Sequence, residues 1–443
     1  MKFLLMLKEP VLAILLLLIA WTATQRLQTP QADRSDEPEW TAISLNTVRK
    51  FEGATLSGVQ RDTRDAQLHE DPWRQGVLAT TFGWPNPILH KLVWGKVCAP
   101  LAPERLSPDT FQRYHGGDLN KANAAVMKIV PAIEQARKVV AFESALCAVL
   151  LFLIAARLAG WMAGTSAFLL WLYHPLIRAW SHQARPDFGM LLLMLACLYF
   201  ALVAAESLCG EGSSKRLVGT SLMLGALAGL CVGTKLNGGL AAIFVVSAIL
   251  LGGFFSSEKE EHSWTLRTRC ALGSGLLVAG LLFALMPYLW SQPLAHLKEV
   301  LDFWSDHMAM QQDRIETLGG VATRTTFERL DLVIHRMGGQ EDPLMGALGI
   351  AGGMLWNLLG VVALILAVRW SALRTAGDGK LGMRVATGLL WIVVVGGGSI
   401  LWLPLNWDRY LFPLVACSVL LEACLLGVLL RLPLAIKRLE PRL

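Results

Sequence analysis

Charged residues are scarce in this chain, at 17% of 443 positions, and tyrosine is rarer still, with five. Water-soluble domains carry about 25% charged residues, so an ordinary soluble fold is excluded. Paired-cysteine motifs are also missing. Of eight cysteines, Cys147, Cys197, Cys231, Cys417 and Cys424 lie in apolar runs, Cys209 and Cys270 flank such runs, and only Cys98 falls in a long polar region. Neither a disulfide framework nor a zinc motif follows. Nucleotide signatures are absent too. The stretch LGALAGLCVGTKLNG, residues 224–238, ends near a Gly-Thr-Lys but lacks phosphate-loop spacing. No Asp-x-Asp pair offers a metal-nucleotide site.

What the chain has in quantity is apolar sequence, 54% of its residues, in continuous runs. Runs of about 18 or more match the thickness of hydrocarbon. Because they are continuous rather than alternating, they select helices over a barrel. The expected fold is an all-α, polytopic integral membrane protein with about ten transmembrane helices. The first segment lies within residues 1–25, where Trp21 suits an interfacial anchor and no clear cleavage site follows. Further spans are expected near 138–156, 160–177, 188–205, 217–233, 237–255, 271–289, 345–368, 385–403 and 410–430.

Lysine and arginine orient these spans. Lys215-Arg216, the 258–269 run, the 369–384 run and the C-terminal tail are basic and alternate with loops holding only Arg178 and Arg185, Lys235, or Arg409. The net charge of +6 therefore reflects topology, with no nucleic-acid partner implied. The chain divides into a first helix (1–25), a large outer loop (26–136), helices two to seven (137–289), a second large outer loop (290–344), and C-terminal helices with a basic inner tail (345–443). Gly225, Gly229 and Gly233 recur every fourth residue, a spacing that lets helices approach closely in lipid.

Ionisable residues gather at the outer ends of these spans. Asp36-Glu37-Pro38-Glu39-Trp40 opens the first loop. Asp36 can cap a helix that Pro38 starts. Trp40, Ile43, Thr47, Val48 and Phe51 then share one face, expected to lie on the membrane surface. His182, Arg185 and Asp187 precede a span, Lys235 sits in a tight outer turn, and Asp408, Arg409 and Tyr410 start the last span. Each has a plain structural use as well: helix capping, a span-end ion pair, a snorkelling cation or an interfacial anchor. Asp302, Asp306 and His307 read best as a solvated helix face.

The order of these elements resembles the type-C glycosyltransferases of the protein O-mannosyltransferase and aminoarabinose transferase superfamily. An acidic pair opens the first outer loop of that family, as Asp36-Glu37 do here. WPNPILHKLVWG (84–95) is similar to its His-Pro-Pro-Leu loop motif, with Asn86 in place of the usual histidine. QARKVVAFESALCAVLLFLIAARLAG (135–160), ARPD (184–187), GTKLNG (233–238) and DRYLFPL (408–414) resemble further family elements in the family's order. The resemblance implies an inverting transferase that takes sugar from a polyprenyl-phosphate donor on the outer face of the membrane. Glycan, lipid or protein is the acceptor class, and a divalent metal is compatible. On this reading Asp36 is the base and Glu37 orients acceptor or sugar hydroxyls; Arg185, Lys235 and Arg409 bind the carrier phosphate with Asp187 orienting Arg185, and Tyr410, Arg137, Lys91 and His90 are further donor-site residues. A bacterial inner membrane is the expected location. A transporter or flippase of lipid-linked sugars, or a silent lipid-binding scaffold, is the alternative.

Overall fold

The computed structural model describes residues 14–24, 41–45, 48, 87–102, 119–208, 214–251, 264–290, 292–317, 323–337, 353–374, 379–402 and 408–430. Every regular element among them is helical. In chain order these include α1 (Ile14–Thr24), α2 (Leu89–Cys98), α3 (Leu119–Met127), α4 (Val130–Ala159), α5 (Trp161–Tyr173), α6 (Pro175–Trp180), α7 (Asp187–Leu208), α8 (Ser214–Thr234) and α9 (Gly239–Leu251). They continue with α10 (Trp264–Ala284), α11 (Pro293–Thr317), α12 (Thr326–Met337), α13 (Met354–Arg374), α14 (Gly379–Trp391) and α15 (Phe412–Leu429). Among the described residues, six helices are long and apolar enough to cross a membrane, and shorter apolar helices lie at Ile14–Thr24, Leu236–Leu251 and Leu355–Arg369. The chain is a multi-pass membrane protein by this measure.

Helix boundaries follow local chemistry. α4 begins at Val130 with Pro131 in its first turn, where a missing N–H costs nothing. That is earlier than the apolar run at 138, because apolarity marks entry into lipid rather than the first helical residue. α4 ends where Gly160 takes φ 85° and its N–H donates to the Ala156 carbonyl, a conformation that favours glycine. The chain then reverses into α5. Pro175 stops α5 by holding His174 extended. The His174 Nδ1 accepts from the Leu176 N–H at 3.2 Å and so caps α6. The expected 160–177 span is thus a 13-residue helix followed by a short one.

The glycine stripe of α8 packs on α10 as its spacing predicts. A Cβ added at Gly225 would stand 2.9 Å from the Ser274 Cα, and one at Gly229 2.7 Å from the Leu281 Cδ1. Across the same seam, the Ser274 hydroxyl donates to the Ser221 carbonyl at 2.7 Å. α15 is buried along nearly its whole length against α5 and α13. Gly427 meets Ala163 there, and Gly360 meets the Leu421 backbone.

Alternation of the spans brings several segments to one end of the bundle. These are the N-termini of α4, α7 and α15 and the C-termini of α8 and α10. α2 lies across that end. Its entry is tied down by the Ile88 N–H donating to the Leu285 carbonyl at 2.9 Å, and the Cys98 thiol donates to the Ala132 carbonyl at 3.3 Å.

Of the face expected on the membrane, Trp40, Thr47 and Phe51 lie outside the described residues; residues 41–45 and 48 are helical and pack against protein. Ala42 packs with Val126, Ile129 and Ile133. Gly95 lies so close that an added Cβ would meet the Ser44 carbonyl and the Val48 side chain. In the second large loop, α11 is helical as expected. Its Asp302 pairs with Lys298 at 2.6 Å on an exposed face, a solvated pair of little energetic weight.

Candidate functional site

The site is built where α7, α8 and α15 meet. Asp187 is the first residue of α7, where the helix dipole favours a carboxylate, and it is 3% exposed. Lys235 leaves the end of α8 in an extended conformation, just before the 3-10 turn Leu236–Gly238. That turn requires Gly238, because a Cβ would stand 2.4 Å from the Cys231 carbonyl oxygen. Forty-eight residues apart in sequence, the Lys235 ammonium donates to the Asp187 carboxylate at 2.5 Å. The same ammonium lies 4.9 Å from the centre of the Tyr410 ring, close enough for a cation–π contact.

These three side chains line an open cleft of about 370 Å³ with Met190, Asn237, Ser399 and Trp402. Ser399 and Trp402 follow the π-helical turn Ile392–Gly397, an irregularity common near functional sites. Arg185 is buried two residues before Asp187, with its guanidinium 5.0 Å above the Trp180 ring. Trp180 in turn edges Phe412, whose ring is 4.8 Å from Phe188.

A second group of polar residues adjoins this one. His90 and Lys91 of α2 are both buried. The His90 Nδ1 lies 3.8 Å from the Glu143 carboxylate, and its ring edges Trp94 at 4.4 Å. Gly189 makes the approach feasible, since a Cβ there would be 2.7 Å from the His90 ring. Burial pulls the His90 imidazole down to about 3, with Asp187 acting in the opposite sense. His90 is therefore neutral at physiological pH. Burial likewise pulls Lys91 down to about 7.

The structure thus brings Asp187, Lys235 and Tyr410 together, with His90 near Asp187 and Arg185 held on Trp180 two residues before it. Arg137 is half-buried on the outer part of α4. Asp36 and Glu37 lie outside the described residues, as does the side chain of Arg409, whose backbone belongs to the 3-10 turn Asp408–Leu411. Sequence reading missed Glu143, a lone carboxylate in the α4 apolar run. An ionisable group within a span was the available signal. Among the described residues, no three His, Cys, Asp or Glu side chains converge as metal ligands.

No curated protein matches the chain. Solved structures that it resembles include an oligosaccharyltransferase from Archaeoglobus fulgidus determined with zinc and sulfate, at 12% identity, TM-score 0.48, covering 96% of this chain and 51% of that one. Another is the oligosaccharyltransferase AglB from the same organism with an inhibitory peptide and a dolichol-phosphate, at 12% identity and TM-score 0.49. It covers 98% of this chain and 52% of that one. The chain spans about half the length of these proteins. The signature of the dolichyl-phosphate-mannose-protein mannosyltransferase family matches residues 124–290. The chain resembles the type-C glycosyltransferases over that stretch, which carries Glu143, Arg185, Asp187 and Lys235.

Proposed function

We propose that this protein is a membrane glycosyltransferase that moves a sugar from a polyprenyl-phosphate donor to an acceptor hydroxyl, with inversion, at the outer face of a bacterial inner membrane. The observation that carries the reading is the Lys235 ammonium, fixed by Asp187 and facing an open cleft at the loop-bearing end of the bundle. Similarity of residues 124–290 to the mannosyltransferase family supports the donor class.

The chemistry assigns a role to each group. Asp36 takes the acceptor's proton as its oxygen bonds to the anomeric carbon. The bond from that carbon to the phosphate oxygen breaks on the opposite face, and its electron pair leaves with the polyprenyl phosphate. Lys235, Arg185 and Arg409 meet the charge that develops there, and each preorganised donor contributes about 3–4 kcal/mol. Asp187 holds Lys235 in place, Tyr410 backs it, and Glu37 orients a sugar or acceptor hydroxyl. Arg137, Lys91 and His90 complete the wall toward the first loop. The acceptor is a glycan, a lipid or a protein.

The test is transfer by purified protein in proteoliposomes carrying radiolabelled polyprenyl-phosphate mannose. Asp36→Asn is expected to abolish transfer with donor binding retained, and Lys235→Ala to lower it by about 100-fold or more. Transbilayer movement of the donor without transfer would establish a flippase instead. Binding alone, with neither, would establish a scaffold.

A further inference from the structure

A second cavity opens at the end of the bundle opposite the Asp187–Lys235 cleft. It lies among the C-terminal parts of α7 and α9 and the N-terminal parts of α8, α10 and α14, as an open groove of about 570 Å³ that includes solvent space at its mouth. Its walls are mostly apolar: Leu217, Leu224, Ile249 and Met383 line it beside Ala201, Ala204, Ala205 and Ala248, whose small side chains leave the room. Thr220, Ser221 and Thr387 add hydroxyls. Among the described residues of the lining, Arg267 is the one charged side chain, and it is 6% exposed.

The composition is that of an amphiphile site. Apolar walls lie between spanning helices, and one planar guanidinium lines the same cavity. Arginine presents a fork of N–H donors that matches a phosphate oxygen pair, and weak hydration makes it the cation best suited to a partly dry site. This end of the bundle also carries Lys215, Arg216, Arg269 and Arg384. Such a basic rim attracts anionic headgroups from the adjacent leaflet at about 1 kcal/mol per residue near the surface. A nucleotide or sugar would want polar walls on several sides, which the four alanines do not supply.

We propose that this cavity binds one anionic phospholipid, its phosphate on the Arg267 guanidinium and its acyl chain along the Ala201–Ala205 and Ala248 walls. The site is separate from the donor cleft and does not depend on the function proposed for it. It would tie α7, α8, α10 and α14 together at the end where residues of α7 and α10 reach the membrane surface.

Native mass spectrometry of the full chain, released from detergent with equal phosphatidylglycerol and phosphatidylcholine, tests this directly. One phosphatidylglycerol is expected to be retained at least about tenfold over phosphatidylcholine, a difference of about 1.4 kcal/mol. Arg267→Gln should remove the preference and Arg267→Lys should keep part of it. Ala204→Phe, which fills the wall and leaves the cation, should lower retention of the lipid altogether. An unchanged preference in both Arg267→Gln and Ala204→Phe would overturn the proposal. So would displacement of the lipid by an equal concentration of inorganic phosphate, which would make this an anion site with no need for an acyl chain.

Discussion

Asp187→Asn separates the electrostatic account of the cleft from a purely steric one. At 2.5 Å and an effective dielectric near 20, the attraction between Asp187 and Lys235 is about 7 kcal/mol before desolvation is counted. Most of that is offset, because the Asp187 side chain is 4% exposed and gives up nearly all its hydration. The amide keeps the shape of the carboxylate but leaves the ammonium without its counter-charge. Breaking a fully buried pair costs about 3–5 kcal/mol. Lys235 is 18% exposed and borders the cleft, so water can reach it and the expected cost falls to about 2–3 kcal/mol. Removing both charges in Asp187→Asn with Lys235→Gln should recover much of that loss. The coupling energy, read from unfolding in mixed micelles across the four variants, should be about 1.5 kcal/mol or more. Additivity within about 0.5 kcal/mol would refute the claim that Asp187 is what holds Lys235.

Two other outcomes follow from named contacts. Gly225→Ala should destabilise by about 1–3 kcal/mol, since its Cβ would press on the Ser274 backbone, whereas Gly219→Ala on the same helix meets nothing within 4 Å and should be neutral; equal effects would contradict the α8–α10 seam. His90 has a folded pKa near 3 against an ordinary 6.5, so between those values the unfolded chain binds the extra proton and stability rises with pH. Thermal unfolding in detergent between pH 4 and 7 should show this rise weakened in His90→Gln, and an unchanged slope would show that another group carries it.

Much of the fold was legible because lipid imposes a simple rule on sequence. Continuous apolar runs located the helices, Gly225, Gly229 and Gly233 marked a seam, and the charges at span ends marked which ends would share a face. The pairing of Asp187 with Lys235 was not legible, since nothing in either segment specifies a partner 48 residues away. Glu143 escaped notice because one carboxylate barely alters the hydropathy of a 30-residue helix. The contact of residues 44 and 48 with Gly95 was not legible either, because an apolar stripe suits lipid and protein equally.

The polar side chains in and beside the cleft owe their positions to apolar packing as much as to charge. Arg185 rests on Trp180, Trp180 edges Phe412, Phe412 tilts onto Phe188, and Phe188 edges Trp171 of α5. Asp187 precedes Phe188 in the chain, and Tyr410 stands two residues before Phe412. The aromatic stack that closes the core between α5, α7 and α15 therefore also sets where the carboxylate, the guanidinium and the phenol ring stand. Side chains held by helix ends and a packed core are fixed more closely than side chains on loops. On the proposed reading, a phosphate entering this cleft would find Lys235 already placed, so little reorganisation would be needed as charge builds on the leaving group.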